Sequence, residues 1–334
     1  MKSKTGRAPY GPVSLAGACA AFVLFAVTAP GAAAQDFPSR TLTIVVPTGA
    51  GGGMDLLGRF AAAQLSQRLQ QSVVVENKVG AGTLLGTETV RNASPDGYTL
   101  LVGGSSNMSL NPGLFKNIRY DAINDFIPVG YLVEYPMVLV ARKDFPASNF
   151  RELRDLVSAS PGKFNYASAG AGTGQHVWTE LLFKDIGLNV AHIPFKGSAG
   201  AYIEILAGRV DFMMDNISAA QPHIRAGSIK PIAVSSTFRA AQLPDVPTID
   251  ENGVKFEAIS WMGIFAPKET PRDVIAKLTK ELETIRQSPE LKTFVERNGG
   301  RRSEIAGDQQ RASYLANDLQ KWKTLIERHD LVMQ

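Results

Sequence analysis

Glycine residues cluster between a β-branched segment and an apolar-periodic segment near the start of the chain. Positions 49–53 read Gly-Ala-Gly-Gly-Gly, after Ile-Val-Val at 44–46 and before Met-Asp-Leu-Leu at 54–57. Glycine has no Cβ, so several backbone N–H groups of such a turn can point at one place. The unpaired first N–H groups of the following helix, and its positive dipole end, face the same place. The pattern is typical of an anion site built from backbone, and equally of a plain strand-to-helix turn without a ligand.

The glycine turn has no basic side chain of its own. No Lys or Arg occurs between Arg40 and Arg59. An anion held there would therefore be bound by backbone dipoles rather than by an ion pair.

Three further turns of small residues follow predicted strands and precede predicted helices. They occupy residues 80–84, 168–176 and 197–201, so two of the four turns fall in the first part of the chain and two in the middle. Ligands of open α/β sheets bind at the carboxyl ends of the strands. Two domains that each present two such turns could face each other across a cleft, which favours the anion-binding interpretation.

The segments that must position these turns alternate between strands and helices. Strands are predicted over 41–46, 73–75, 98–102, 164–167, 190–195, 210–214 and 231–235. Helices are predicted over 54–69, 84–92, 149–159, from 176 through 182, from 198 onward, and in the tail around 274–285 and 315–326. This alternation predicts an α/β fold, with mostly parallel sheets covered by helices on both faces.

Residues 126–140 are nearly continuous apolar sequence without helical spacing. We interpret 137–141 as an extended segment that leaves a first domain, and 231–235 as a strand that returns to it. Domain 1 is therefore predicted to comprise residues 36–137 and 236–334, and domain 2 residues 138–235, joined by two crossing strands.

The first 34 residues have the organisation of a cleaved secretory signal peptide. Three basic residues precede an apolar run, and alanines at 32–34 offer a small-residue cleavage site, which predicts a periplasmic protein. The only cysteine, Cys19, lies in this leader, so disulfide or thiolate chemistry is not expected. Removal of the leader would lower the formal net charge from +4 to +1, which gives no electrostatic argument for nucleic-acid binding.

The motifs of common enzyme classes are incomplete in this sequence. Residues 49–54 do not complete G-x-G-x-x-G, no Gly-Lys-Ser/Thr follows them, and no G-x-S-x-G elbow occurs. The histidines lack the spacing of a metal-binding helix such as H-E-x-x-H. We therefore predict no catalytic residue, no metal and no cofactor, and retain a secreted enzyme acting on a small organic acid only as an alternative.

Seven segments, in their order and spacing, resemble the extracytoplasmic solute receptors of the Bug type, also called TctC-like, which serve tripartite tricarboxylate transporters. The resemblance extends over essentially the whole mature chain. The segments are PTGAGGGMD at 47–55, VEN and GAG within 75–82, DGYTL at 96–100, SAGAGTGQH at 168–176, HIPFKGSAGA at 192–201, LPDVPT at 243–248 and WMGIFAP at 261–267.

The resemblance implies a periplasmic two-domain clamp of the type II periplasmic-binding-protein fold. Such a receptor captures a small carboxylate-type ligand between its domains and delivers it to the membrane subunits of a tripartite tricarboxylate transporter. We expect a monomer that does not bind nucleic acid. Presentation of the ligand to a membrane signalling protein is the alternative, because the sequence does not separate transport from sensing.

The resemblance also implies a ligand wall, carried over position by position. In domain 1 it comprises Thr48, Ala50, Gly51, Gly52, Ala81, Gly82, Thr83, Ser105, Ser106 and Asn107. In domain 2 it comprises Ser168, Ala169, Gly172, Thr173, His176, Lys196, Gly197, Ser198 and Asp215. Members of the family hold ligand carboxylates largely with backbone N–H groups and ordered waters at the two first-domain loops, which agrees with a glycine turn free of cations.

The chain departs from the family pattern at several of these positions. Thr83 stands where a further glycine is frequent, Phe195 where Tyr is frequent, and Gly200 where Pro is frequent, and a His is common near Asn107. Because these residues lie at the presumed ligand, the identity of the ligand cannot be carried over.

Four polar residues near the predicted wall have competing interpretations. Asp55 is interpreted as an N-cap or first-turn acid rather than a ligand contact, because a carboxylate would repel an anion. His192, in an apolar strand, is interpreted as structural. His176 either contacts the ligand or caps its own loop, and Lys196 either pairs with the ligand or is solvated.

Overall fold

The computed structural model describes residues 37–195 and 197–331, together with residue 6 and residues 8–11. Most of the predicted signal peptide therefore lies outside the described residues. Lys196 lies outside them as well. The chain divides into Met1–Asp36 and Phe37–Gln334, and the fold below is that of the second unit. In the described part, no helix combines the length and the apolar character needed to cross a membrane.

Ten strands in the described part form one mixed sheet, and ten α-helices cover it. The strands are β1 (Leu42–Val46), β2 (Val73–Asn77), β3 (Thr99–Gly104), β4 (Phe126–Arg142), β5 (Asn165–Ser168), β6 (Ala191–Pro194), β7 (Phe212–Asn216), β8 (Ile229–Val234), β9 (Ile259–Pro267) and β10 (Arg301–Arg302). The helices are α1 (Gly53–Leu69), α2 (Leu84–Arg91), α3 (Asn111–Leu114), α4 (Phe150–Ser158), α5 (Gly174–Asp185), α6 (Ser198–Leu206), α7 (Ile217–Arg225), α8 (Arg272–Gln287), α9 (Pro289–Arg297) and α10 (Asp308–Arg328). Shorter helical segments are Ala81–Thr83, the π-helical Ser105–Leu110 and Asp250–Asn252.

The strands follow the order β2-β1-β3-β9-β4-β7-β5-β6, with β8 and β10 also paired to β4. β1 is parallel to β2 and β3, and β5 is parallel to β6 and β7. β9 is antiparallel to β3 and β4, and β4 is antiparallel to β7 and β8. The predicted parallel pattern thus holds at the outer strands, whereas the centre is antiparallel because β4 and β9 cross the molecule in opposite directions.

β4 belongs to both lobes of the molecule. Up to Pro136 it pairs with β9, and from Met137 onward it pairs with β7 and β8. The chain returns beside it, since the Ser235 N–H donates to the Met137 carbonyl at 2.9 Å and the Ala258 N–H donates to the Ser235 carbonyl at 3.0 Å. The fold is therefore an α/β two-lobed clamp with two crossing segments. The predicted boundaries fall at this crossing, and the assignment of residues to each domain remains a prediction.

The long apolar run of β4 is explained by burial on both of its faces. Leu139 packs in one hydrophobic cluster with Phe212, and its neighbour Val138 packs in another with Met213. Side chains that alternate along a strand point to opposite faces of the sheet, so helices on both faces are needed to cover them.

The last helix, α10, packs against both lobes. Leu315 lies in a cluster with Trp261 of β9, whereas Trp322 lies in the cluster that holds Trp178 of α5. The helical spacing predicted for this segment is confirmed, and its apolar stripe covers the crossing between the lobes.

Candidate functional site

A cleft of about 1070 Å³ lies between the two lobes, at the carboxyl ends of β1, β2, β5 and β7. It is lined by the turns after these strands and by the N-terminal ends of the helices that follow. Among its described lining residues there is no Asp, Glu, Lys, Arg or His. Such a volume accommodates a small molecule together with water.

Asp55, in the first turn of α1, holds the glycine turn after β1. Its Oδ2 accepts hydrogen bonds from the Gly51 N–H and from Arg59 Nε, both at 2.9 Å, and its Oδ1 accepts one from Asn77 Nδ2 at 2.9 Å. The bond from the Arg59 guanidinium, with those from Gly51 and Asn77, lowers the pKa of the Asp55 carboxyl to about 2. Its position in the first turn of α1 and its bond to the Gly51 N–H confirm its interpretation as a first-turn acid.

The Gly51 N–H is consequently not available to a ligand, which corrects part of the predicted donor set. The N–H groups of Gly49, Ala50 and Gly52 have no hydrogen-bond partner among the described residues. The Thr48 hydroxyl is buried and also has no partner there. The Thr48 hydroxyl is buried and therefore needs a partner, whereas Gly49, Ala50 and Gly52 are exposed, so their N–H groups are open to a ligand or to water.

The second turn, Ala81–Thr83, has a left-handed backbone, with φ of 46° at Ala81, 61° at Gly82 and 83° at Thr83. A positive φ is unfavourable for a β-branched residue such as Thr. Asn111 stabilises the turn, because its Nδ2 donates to the Gly82 carbonyl at 2.8 Å and to Thr83 Oγ1 at 2.9 Å. Sequence reasoning missed Asn111, whose only local signal is the turn-like Asn-Pro-Gly at 111–113.

The two first-lobe turns lie side by side because α2 packs closely against both. A Cβ at Gly86 would lie 2.7 Å from Pro47 Cα and 2.9 Å from the Lys78 carbonyl oxygen. Only glycine permits this approach, so Gly86 positions the site without contacting the cleft.

The third predicted loop is the π-helical segment Ser105–Leu110, and of its three predicted residues only Ser106 lines the cleft. Ser105 Oγ accepts the Trp261 N–H at 2.9 Å. Asn107 is fully buried, and its Nδ2 donates to Thr87 Oγ1 at 3.0 Å. The side chains of Ser105 and Asn107 therefore form hydrogen bonds within the protein and do not line the cleft, which corrects their predicted place in the ligand wall.

Ser168 and His176 lie behind the second-lobe turn rather than at the cleft surface. Ser168 Oγ is 2.7 Å from His192 Nε2, and His176 Nδ1 accepts the Gly172 N–H at 3.1 Å. The two imidazole rings are stacked with centroids 4.0 Å apart. His176 thus caps its own loop, and the structural interpretation of His192 is confirmed.

Burial favours the neutral form of both histidines. Burial lowers the pKa of His176. Burial, and secondarily the neighbouring His176, lower the pKa of His192 to about 4. Two uncharged imidazole rings can stack closely, and a neutral ring nitrogen can accept a hydrogen bond, so the pair stabilises the turn between β5 and α5.

Asp215 is fully buried at the end of β7 and does not line the cleft. Its Oδ1 accepts the Asn216 N–H at 2.8 Å and Gln175 Nε2 at 3.2 Å, and its Oδ2 has no partner within the described residues. Burial raises the pKa of this carboxyl group. Asp215 thus contacts two lining residues, Gln175 and Asn216. Gln175 lies inside the segment 168–176, but it is not among the residues predicted for the wall.

The structure brings most of the predicted wall together around one cleft, although contact with a ligand remains a prediction. The predicted residues that line it are Thr48, Ala50, Gly51, Gly52, Ala81, Gly82, Thr83, Ser106, Ala169, Gly172, Thr173, Gly197 and Ser198. Predicted residues behind the wall are Ser105, Asn107, Ser168, His176 and Asp215. Lys196 lies outside the described residues. Sequence reasoning missed the larger side chains of the lining, among them Met54, Tyr135, Trp178, Met262 and Asn298.

A two-lobed α/β molecule with a cleft at the strand ends beside two crossing segments has the architecture of the periplasmic solute-binding proteins. The model of the tripartite tricarboxylate transporter family receptor matches residues 57–331. The chain belongs to this family.

Individual relatives agree with this assignment. A UPF0065 protein of Bordetella pertussis is 37% identical over 280 residues, which cover 84% of this chain and 86% of that protein. The structure of the periplasmic binding protein BugD is similar with a TM-score of 0.77 and 35% identity, over 89% of this chain and 100% of BugD. MatC from Rhodopseudomonas palustris, solved with bound malate, is similar with a TM-score of 0.76 and 32% identity, over 87% of this chain and 100% of MatC.

Proposed function

We propose that this protein is a periplasmic receptor that captures a small carboxylate in the cleft and delivers it to the membrane subunits of a tripartite tricarboxylate transporter. The observation that carries the proposal is a cleft whose described lining has no charged side chain, bordered by unpaired N–H groups of a glycine turn at a helix start. Membership of the family and the malate bound by MatC support it. The predicted signal peptide supports the periplasmic location.

In this proposal the ligand carboxylate binds the N–H groups of Gly49, Ala50 and Gly52, with the Ala81–Thr83 turn and waters completing its shell. The positive dipole end of α1 stabilises the negative charge. Backbone donors fixed in a partly dry cleft bind an anion without the large desolvation cost of burying an ion pair.

The proposal predicts that a ligand closes the clamp, because a molecule that contacts both lobes stabilises the closed state by its differential contacts. Mass spectrometry of small molecules released by denaturing the purified protein would supply the first ligand candidates, and calorimetry their affinities. X-ray scattering should then give a smaller radius of gyration at saturation. The free energy of unfolding should rise by about 2.7 kcal/mol at a hundredfold excess of ligand over Kd. A scattering curve unchanged by a saturating ligand would contradict the clamp.

Substitutions in the glycine turn test the mode of carboxylate binding. Gly51 has φ of +83°, so Gly51→Val should strain the turn by about 1–3 kcal/mol and weaken binding about tenfold or more. Gly52→Ala is the matched control, because φ is −77° there and its Cβ would make only ordinary contacts, the nearest at 3.6 Å from the Gly49 oxygen.

Lysine variants test the alternative of an ion-pair site. Lys78 is paired with Glu76 at 2.6 Å on the surface, so Lys78→Met should cost about 1 kcal/mol or less in binding. We expect the same of Lys196→Met. If either lysine variant abolishes binding while Gly51→Val binds normally, the site is an ion pair and the backbone mode is wrong.

Co-purification with transporter membrane subunits, rather than with a signalling protein, would distinguish delivery from sensing.

A further inference from the structure

The contact with Asp215 determines which atoms of the Gln175 amide face the cleft. In the structure Gln175 Nε2 donates to Asp215 Oδ1 at 3.2 Å, and the same oxygen accepts the Asn216 N–H at 2.8 Å. This orientation of the amide satisfies the ionised carboxylate of Asp215, whose oxygens can only accept hydrogen bonds.

The carbonyl oxygen of the same amide, Gln175 Oε1, remains available as a hydrogen-bond acceptor at the cleft. Gln175 lines the cleft, and Oε1 has no hydrogen-bond donor among the described residues. Its backbone is fixed in the first turn of α5, which Thr173 caps, and Thr179 Oγ1 donates to the Gln175 carbonyl at 2.6 Å. A positioned carbonyl oxygen in such a place takes its hydrogen bond from water or from a ligand.

The position that faces Gln175 Oε1 is unsuited to a second ligand carboxylate. Asp215 is fully buried behind Gln175, and its Oδ1 accepts the N–H of Asn216. A carboxylate placed against Gln175 would therefore meet an acceptor oxygen, with a second carboxyl group behind it. A hydroxyl or an amide N–H at the same place would complete the hydrogen bonding of Oε1.

We propose that Gln175 is a specificity-determining residue that selects ligands carrying a hydrogen-bond donor opposite their carboxylate. The two walls are then complementary to different groups: the first lobe donates N–H groups to a carboxylate, and the second lobe offers the Gln175 oxygen to a hydroxyl or amide. The ligand class is a small hydroxy acid or amide-bearing acid rather than a plain dicarboxylate. This inference rests on the proposed function, because it assigns the second end of a ligand whose carboxylate binds the first lobe.

Calorimetry with matched acids tests this selectivity. Succinate is compared with malate, which adds a hydroxyl group. Succinate, glutarate and adipate are each compared with their monoamide, in which an amide donor replaces one carboxylate. The three acids place that donor at three distances from the remaining carboxylate. We expect the wild-type protein to prefer the donor-bearing member of at least one pair by tenfold or more, since a carboxylate at this place would meet the Gln175 oxygen without a hydrogen to donate to it.

The variant Gln175→Met keeps the length of the side chain and removes its acceptor. The ratio of affinities between the donor-bearing acid and its plain partner should fall to about one. The affinity for the plain dicarboxylate should stay within about threefold of the wild-type value, which a merely structural role would not produce. Gln320→Met, on the exposed face of α10, is the matched control and should keep the wild-type preference. Circular dichroism and melting temperature establish that each variant is folded.

The outcomes separate this inference from the proposed function. Carboxylates that bind without a preference for the donor-bearing member, or a preference that survives Gln175→Met, would overturn the role of Gln175 and leave the receptor function standing. Failure of the wild-type protein to bind any acid of the series would contradict the proposed carboxylate-binding function, and the inference with it.

Discussion

Asn111 shows how one buried side chain maintains a backbone conformation that its neighbours disfavour. Three consecutive residues with positive φ, one of them the β-branched Thr83, store strain that the surrounding structure must offset. The two hydrogen bonds from Asn111 Nδ2 do this, and they connect α3 to the edge of the cleft.

The variant Asn111→Ala should therefore destabilise the protein and the turn together. It leaves the Gly82 carbonyl without its side-chain donor, which should cost about 1–3 kcal/mol in the free energy of unfolding. Urea denaturation measures this, and calorimetry should show weaker ligand binding as the turn loses its order. Asn124→Ala is the matched control, because Asn124 is exposed and its Nδ2 bonds only the nearby Asp121, so its effect should stay within about 0.5 kcal/mol. An unchanged urea midpoint for Asn111→Ala would show that the turn is stable without this residue.

At the scale of elements, the turn between β5 and α5 rests on the stacked pair His176 and His192. Unfolding exposes both rings to water and restores ordinary titration, with a pKa near 6.5. In the folded protein the pKa of His192 is lowered to about 4, chiefly by burial. Between these values the unfolded chain binds a proton that the folded protein does not.

Stability should consequently fall as the pH drops from about 6.5 toward 4, and be fully present above that window. The slope is at most about 1.4 kcal/mol per pH unit, reduced because water partly screens the half-buried ring. Denaturant titrations at pH 7 and pH 5 should show a smaller loss for His192→Phe, which keeps an aromatic ring and cannot titrate, than for the wild-type protein. Ser168→Ala is the control, because it removes the same hydrogen bond and keeps the titrating ring. An equal loss in His192→Phe and wild type would place the pH sensitivity elsewhere.

At the scale of the whole molecule, Asp318 of α10 connects the hydrophobic clusters of the two lobes. Its Oδ2 accepts Trp261 Nε1 at 2.7 Å, and its Oδ1 accepts Trp322 Nε1 at 3.0 Å. Trp261 belongs to the cluster around β9, and Trp322 to the cluster beneath α5. Burial raises the pKa of the Asp318 carboxyl group.

The variant Asp318→Leu should leave two buried indole N–H groups without acceptors, at a cost of about 2–5 kcal/mol. Thermal unfolding followed by tryptophan fluorescence measures it, since the environments of both indoles change. Glu327→Leu on the same helix removes only an exposed contact with Lys323 at 3.9 Å and should change stability by less than about 1 kcal/mol. Equal melting temperatures for the two variants would show that the link between the clusters contributes nothing.

Much of the fold could be predicted because its signals are local in the chain. β1, the glycine turn and α1 follow from a β-branched run, a cluster of glycines and apolar spacing within about thirty residues. The predicted helix at 149–159 appears as α4, capped by Asn149, whose side chain accepts the Glu152 N–H. The order of seven short segments was enough to predict the family, which the match to residues 57–331 confirms.

The sequence alone did not determine which residues of a loop face the cleft or which pairs hold it. Residues 261–267 of β9 (Ile259–Pro267) are recognisable in the sequence as a family segment but not as a strand, and the partners β3 and β4 lie more than a hundred residues earlier in the chain. Ser105 and Ser106 look alike in sequence, yet Ser105 bonds the Trp261 backbone and Ser106 lines the cleft. Gln175 acquires a fixed orientation only because β7 brings Asp215 to it across forty residues of chain. Local sequence determined where turns and helices begin, whereas burial and the partner of each polar side chain were decided by packing between segments remote in sequence.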